Sequence, residues 1–382
     1  MTSRCYANIL RVMIIAEIGT AHNGSIDKAK ELMDGAVKAG ADAVKFQWVY
    51  ADEILHENTG IVNLPTGQIR LYDRFKALEL RSDFYQNCLS YAHSLGVQFV
   101  CSPFGIRSLN ELIEINPDVI KIASPELNHY PMLQSLKNAI DNGLKTPVVL
   151  SSGVSKLKDI EKALEILDCA QNPNQFTLLH CITSYPAPET EYNVRLVKTL
   201  HDIFGIQTGI SDHSLDPVLV PVLSTIMGGT VIEKHITLSK KTDGLDDPVA
   251  LEIDQFANMV YSVHQTQALL KRYDQDEGAK IALEQMQDLY GEEKVNAILG
   301  TGFKRLAKSE SANYGRTNRS LHFMRDMSAG SIVGERDIGV LRTEKVLSVG
   351  LPPEYLSTII GAKLTADVKS GEGAAWEHFL SR

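Results

Sequence analysis

Between about residue 12 and residue 271 the chain alternates short β-branched runs with amphipathic stretches, eight of each, and nothing else in it constrains the fold so tightly. The runs are Met13 to Glu17, Ala43 to Gln47, Val97 to Cys101, Val119 to Ile122, Pro147 to Ser151, Phe176 to Cys181, Gln207 to Ser211 and Val231 to Lys234. Helical patterns lie between them, among them Ile26 to Ala39, Asp83 to Leu95, Lys156 to Leu167, Val194 to Phe204 and Ile253 to Leu270. Several have Ser, Asp or Asn at the N-cap position. Parallel strands need a crossover between them, so repeated βα units imply a parallel sheet. Eight units of roughly 32 residues fit an α/β fold of the (β/α)₈ TIM barrel type, which takes about 250 residues. A doubly wound open sheet is the alternative.

Past the eighth unit the repeat is lost. Asp274 to Lys294 is acidic and Gln-rich and reads as one or two surface helices. Thr301 to Asn318 is a polar connector, and Arg319 to Arg382 holds strand-like runs at Ser320 to Met324 and Ser331 to Val333 between turn signals. The chain therefore divides into a barrel domain over 1–300 with extra helices at 274–300, a linker over 301–318 and a small domain over 319–382. The stretch from Val49 to Leu80 is too long for a mere connector and is a candidate lid or substrate loop.

Charge and cysteine usage exclude several classes of function. Lys plus Arg total 38 against 47 Asp plus Glu, and a formal charge of −9 is the wrong sign for a nucleic-acid or anionic-membrane binder. Cys5, Cys88, Cys101, Cys169 and Cys181 form an odd, scattered set without a C-x-x-C, which suits reduced thiols in the cytoplasm. Arg11 and Glu17 interrupt the first apolar run, which reads as a strand rather than a signal peptide. Val218 to Ile232 is too short and too broken to span a bilayer.

In such a barrel the chemistry gathers where the strands end. Those ends carry Glu17; Lys45 and Gln47; Ser102; Lys121, Ser124 and Glu126; Ser151 and Ser152; His180, Thr183 and Tyr185; Ser211, Asp212 and His213; and Lys234 with His235. One polar residue past a strand is often only solvated loop, but eight sets converging on one mouth point to a site. Lys45 and Lys121, with the hydroxyls of Ser102, Ser124, Ser151 and Ser211, describe a pocket for a phosphate, the alternative for each lysine being a structural salt bridge. His213 and His235 end neighbouring strands and suit an open site for Mn²⁺ or Mg²⁺; a metal-free hydrogen-bonding pair is equally compatible with their spacing. Asp212 is placed to orient His213, and Glu233 reads as a supporting or core residue. Glu17 and Glu126 are the candidate acid/base groups, with a salt-bridge role as the alternative.

These residues resemble the N-acetylneuraminate (sialic acid) synthases and their relatives that make legionaminate, pseudaminate and spore-coat sugars. The resemblance rests on Ile14-Ile-Ala-Glu-Ile-Gly19 with His22-Asn-Gly24, Val44-Lys-Phe-Gln47, Cys101-Ser-Pro-Phe104, Ile120-Lys-Ile-Ala-Ser-Pro-Glu126, Leu150-Ser-Ser-Gly153, Leu179-His-Cys-Ile-Thr-Ser-Tyr-Pro186, Gly209-Ile-Ser-Asp-His213 and Ile232-Glu-Lys-His235. Asn318-Arg-Ser-Leu321 and Trp376-Glu377 resemble the family's antifreeze-like domain. The likeness implies condensation of phosphoenolpyruvate with an N-acetylmannosamine-type aldose, an N-acylated hexosamine, to a nonulosonic (sialic-acid-like) acid and phosphate. It implies that Lys45, Ser102, Lys121, Ser124, Ser151 and Ser211 hold phosphoenolpyruvate, that Glu17 and Glu126 are catalytic, and that Gln47, Tyr185, Asp246 and Arg319 meet the sugar. It also implies that His213 and His235 bind a divalent metal, Mn²⁺ with Mg²⁺ or Co²⁺ as substitutes, and that Arg319 reaches a partner subunit's site in a domain-swapped homodimer. Another metal-dependent barrel aldolase or lyase, or a non-catalytic sugar-binding relative, are the competing readings.

Overall fold

The computed structural model describes residues 11–64, 67–241, 246–273, 275–343 and 346–380; Cys5 and Asp274 lie outside them. Eight parallel strands, β1 (Met13–Gly19), β2 (Ala43–Trp48), β3 (Gln98–Pro103), β4 (Val119–Ile122), β5 (Val148–Ser151), β6 (Phe176–Cys181), β7 (Gln207–Asp212) and β8 (Val231–Thr237), pair in chain order. β8 pairs back onto β1 through Met13 with Val231 to Glu17 with His235, which closes the barrel and excludes the open sheet. Helices cover its outside. The first, α1 (Ile26–Lys38), shows why they form: Ser25 caps it by accepting from the Lys28 N–H at 3.2 Å. Ala29, Leu32, Met33 and Ala36, spaced at helical period, then bury one face against the strands.

The stretch after β2 folds into a helical turn (Ala51–Ile54), a hairpin of Ile61–Leu64 with Gly67–Arg70, and a second short helix (Leu71–Lys76). Beyond β8 come α2 (Ile253–Arg272), α3 (Gln275–Tyr290) and α4 (Glu292–Leu299), so the acidic stretch is two helices. None of the described helices is long and apolar enough to cross a membrane.

The C-terminal unit has its own core of Leu321, Phe323, Met327, Val333, Ile338, Ile359, Leu364, Val368 and Ala374. Its strands are β9 (Arg319–Phe323) and β10 (Ile338–Arg342), antiparallel. The expected strand at Ser331 to Val333 is only an isolated bridge from Ile332 to Lys363. The second strand lies later, at Ile338–Arg342, where Gly339 interrupts the β-branched pattern that marks strands in sequence.

Candidate active site

Alternation along the strands builds the site in layers. Ile15, Ala43, Val100, Val119, Val149, Leu179 and Val231 form an apolar cluster in the barrel, one from each of seven strands. On the remaining strand Gly209 pairs with Leu179. Successive side chains on a strand point to opposite faces, so the residue two places on points the same way. Those residues are Glu17, Lys45, Ser102, Lys121, Ser151, Cys181, Ser211 and Glu233. Two places further, at or just past the strand ends, stand Gly19, Gln47, Phe104, Ala123, Gly153, Thr183, His213 and His235.

The middle layer is a buried charge network. Lys45 is ion-paired with Glu17 and lies 3.7 Å from Glu233 Oε1, while Gln47 Nε2 donates to Glu17 Oε1 at 2.7 Å. Lys121 Nζ donates to Ser151 Oγ at 2.7 Å and to the Ile122 carbonyl at 3.0 Å, with Glu233 Oε2 at 3.9 Å. Ser211 Oγ donates to Glu233 Oε1 at 3.0 Å. The two ammonium groups respond oppositely. Burial works against the charge of both, but Glu17 and Glu233 together outweigh it at Lys45 and hold its pKa above the ordinary value. At Lys121, burial outweighs Glu233 and the pKa falls. Glu233, which in sequence reads as a supporting or core residue, belongs to this layer. It sits between both lysines, which overcome its own burial and draw its pKa down. Counting on in twos from Val231 would have found it.

Asp212 and Lys234 occupy the alternate positions and therefore face away from the mouth. They pair with each other, fully buried. The expectation that Asp212 orients His213 is thus corrected: His213 Nδ1 meets the Ile182 carbonyl at 2.8 Å, and the half-exposed Tyr185 stacks on the imidazole at 4.2 Å. His180, with Nε2 on the Tyr192 carbonyl at 2.6 Å, is a packed residue.

His213 and His235 lie with ring centroids 5.6 Å apart, and Asp246 Oδ2 is 3.9 Å from His235 Nδ1. Burial lowers both imidazole pKa values and favours the neutral, lone-pair-bearing form. With its Nδ1–H given to a carbonyl, His213 keeps Nε2 free as a donor atom. Among the described residues no three His, Cys, Asp or Glu side chains gather to hold an ion. Two neutral imidazoles fit a metal whose other positions are filled by substrate and water, and do not fit a closed cage.

Glu126 stands apart from this network. Its carboxylate is fully buried between two guanidinium groups of the C-terminal unit, Arg319, whose Nε is 2.6 Å from Oε2, and Arg342 on Oε1. Arg319 also donates to the carbonyls of Glu53, Ile54, Phe104 and Val340. The arginine expected over a partner's barrel therefore meets, in this chain, its own, and its donors are spent on protein groups. Ser124 Oγ accepts from the Gly153 N–H at 3.0 Å. Among the described residues Ser102 Oγ is buried without a hydrogen-bond partner, as is Glu233 Oε2.

Residues 32–275 match the model of the NeuB family, well over half of the chain. The chain belongs to the NeuB family. Residues 318–380 match the SAF domain, the C-terminal unit that carries Arg319 and Arg342. Among NeuB-type relatives, the N,N'-diacetyllegionaminic acid synthase of Legionella pneumophila is 30% identical over 96% of this chain and 94% of its own. The spore coat polysaccharide biosynthesis protein SpsE of Bacillus subtilis superposes with a TM-score of 0.80 at 27% identity, over 97% of this chain and 96% of that one. The N-acetylneuraminic acid synthetase of Leptospira borgpetersenii gives 0.61 at 29% identity, over 69% and 86%.

Proposed function

We propose that this NeuB-family chain condenses phosphoenolpyruvate with the open-chain aldehyde of an N-acylated hexosamine, giving a nonulosonic acid of the sialic type and inorganic phosphate. The observation that carries this reading is the under-compensated Lys121: a buried ammonium on neutral acceptors, with its nearer carboxylate partner 3.9 Å off. The hydroxyls of Ser102, Ser124, Ser151 and Ser211 are on the neighbouring strand ends. A phosphate would supply the short charge-assisted contacts that Lys121 lacks. The names of the relatives, synthases of legionaminic and N-acetylneuraminic acids, support the same product class.

In this mechanism Lys45, Lys121 and the four serines hold the phosphate and carboxylate of phosphoenolpyruvate. Gln47, Tyr185 and Asp246 orient the sugar so that C3 of the enol meets the aldehyde carbon. A divalent metal held by His213 and His235, Mn²⁺ by preference, would supply Lewis-acid polarisation of the aldehyde. Forming the C–C bond leaves C2 electron-poor. The Glu17 carboxylate, fixed by Lys45 and Gln47, faces that developing charge, water adds to C2, and the C2–O bond to phosphate breaks. Arg319 and Glu126, buried and paired with each other, brace the loop after β4 rather than touching the sugar. The setting we propose is the cytoplasm, where the buried, unpaired Cys88, Cys101, Cys169 and Cys181 would stay reduced. The test is phosphate release from phosphoenolpyruvate with Mn²⁺ and a panel of N-acylated hexosamines and their 6-phosphates. Aldose-dependent release with formation of a 2-keto acid is expected. No release with any member of the panel would end the proposal.

A further inference from the structure

The turn after β5 is strained. Val154 is β-branched and fully buried, yet its φ is 43°, a region that such side chains rarely enter. Both of its main-chain polar groups are taken by the segment that leads to the SAF domain. The Val154 N–H donates to Glu310 Oε1 at 2.7 Å, and its carbonyl accepts from Asn318 Nδ2 at 3.1 Å. The same Glu310 oxygen accepts the Thr183 N–H, from the loop after β6, at 2.7 Å; the other oxygen accepts from the Ala307 N–H at 3.3 Å. Glu310 is only 1% exposed, and its carboxylate ties two barrel loops to the linker. The turn it holds fits its neighbours closely, since a Cβ at Gly153 would lie 2.1 Å from Thr183 Oγ1 and 2.8 Å from Ser124 Oγ. Moving the turn therefore moves Ser124 and, through Ser151, the hydroxyl that Lys121 is bonded to.

We infer that Glu310, assisted by Asn318, is a positioning residue: from outside the barrel it holds the Ser151–Val154 turn in the strained form that presents Ser124 and Ser151 to the phosphate. The inference deepens the proposed function and rests on it for its kinetic test. A glycine is unstrained at positive φ, so Val154→Gly removes the need for the clamp. Glu310→Ala should raise the KM for phosphoenolpyruvate about tenfold, with kcat changed less than about threefold. In the Val154→Gly background the same substitution should raise it less than about threefold, because the cavity left by the missing valine is common to both arms and cancels. Glu310→Gln keeps an acceptor oxygen and should stay within about threefold of the unaltered chain. Independently of catalysis, Glu310→Ala should speed hydrogen exchange at the amides of Val154 and Thr183. A chain that consumes no phosphoenolpyruvate would end the proposed function and leave the exchange measurement to judge the clamp. Should Glu310→Ala fail to fold, Asn318→Ala is read in the same two ways. Equal KM increases in the two backgrounds, or unaltered exchange at both amides, overturns the inference.

Discussion

Lys45 and Lys121 show how two identical side chains in one layer acquire different tasks. Two lysines face two carboxylates, Glu17 and Glu233, so this layer is charge-balanced before any substrate arrives, and not the net-positive pocket that the lysines and serines suggest in sequence. The carboxylates are not shared equally. Lys45 has Glu17 in direct contact, while Lys121 depends on a Glu233 that also answers Lys45 and Ser211. Truncating Lys121 to alanine should cost about 1.5–3 kcal/mol of transition-state binding, roughly 10- to 150-fold in kcat/KM for phosphoenolpyruvate. A kinetic profile identical to that of the unaltered chain would return Lys121 to a salt-bridge role. The imidazole pair gives a second prediction. Chelation with EDTA should abolish phosphate release and Mn²⁺ should restore it, because carbonyl polarisation is worth several kcal/mol. Full turnover by metal-free protein would remove His213 and His235 from a metal role.

At the level of elements, the strands were legible because β-branched runs bounded by turn residues leave little choice of conformation. The inward layer was legible only in part. Glu17 and Ser151 end their runs, and Lys45 and Lys121 are the single charges within theirs, whereas Glu233 is followed by Lys234 and His235 and looks like one charge among three. Only the period of two separates the inward Glu233 from the outward Lys234. The partners of Arg319 were not legible at all, since contacts across 193 positions to Glu126 depend on how two folded units dock. Gly209 on β7 carries a prediction at this scale. A Cβ there would lie 2.1 Å from the Val231 carbonyl oxygen, a backbone atom that cannot rotate aside. Gly209→Ala should destabilise the barrel by about 1–3 kcal/mol or more, seen as a fall of several degrees in Tm. An unchanged Tm would mean that β7 and β8 separate more easily than their packing indicates.

In the whole molecule, Glu126 with Arg319 and Arg342 fastens the SAF domain to the barrel. Breaking a buried pair on one side leaves an uncompensated charge, at a cost of about 3–5 kcal/mol. Arg319→Ala should therefore loosen the domain as well as depress activity, and limited proteolysis within 301–318 should report it. The pairing lies within one chain, and a domain-swapped homodimer would form it between two. Mixing Arg319→Ala with Glu126→Gln protein distinguishes these arrangements. If the contact stays within each chain, every site in a mixed dimer carries one lesion, and turnover should not recover. Recovery toward half of the unaltered rate after subunit exchange would show that the domains are traded.

The run from Glu310 to Arg319 ties the barrel together more tightly than its irregular backbone suggests. Glu310 and Asn318 grip the loops after β5 and β6, and Arg319 grips Glu126 and Asn128 beyond β4. Anyone dissecting this protein would cut after Leu299, where the last helix against the barrel ends. A barrel severed there keeps all eight of its strands and loses the braces of three loops at its mouth, so a boundary drawn by regular elements alone falls on the wrong side of the segment that holds the mouth together.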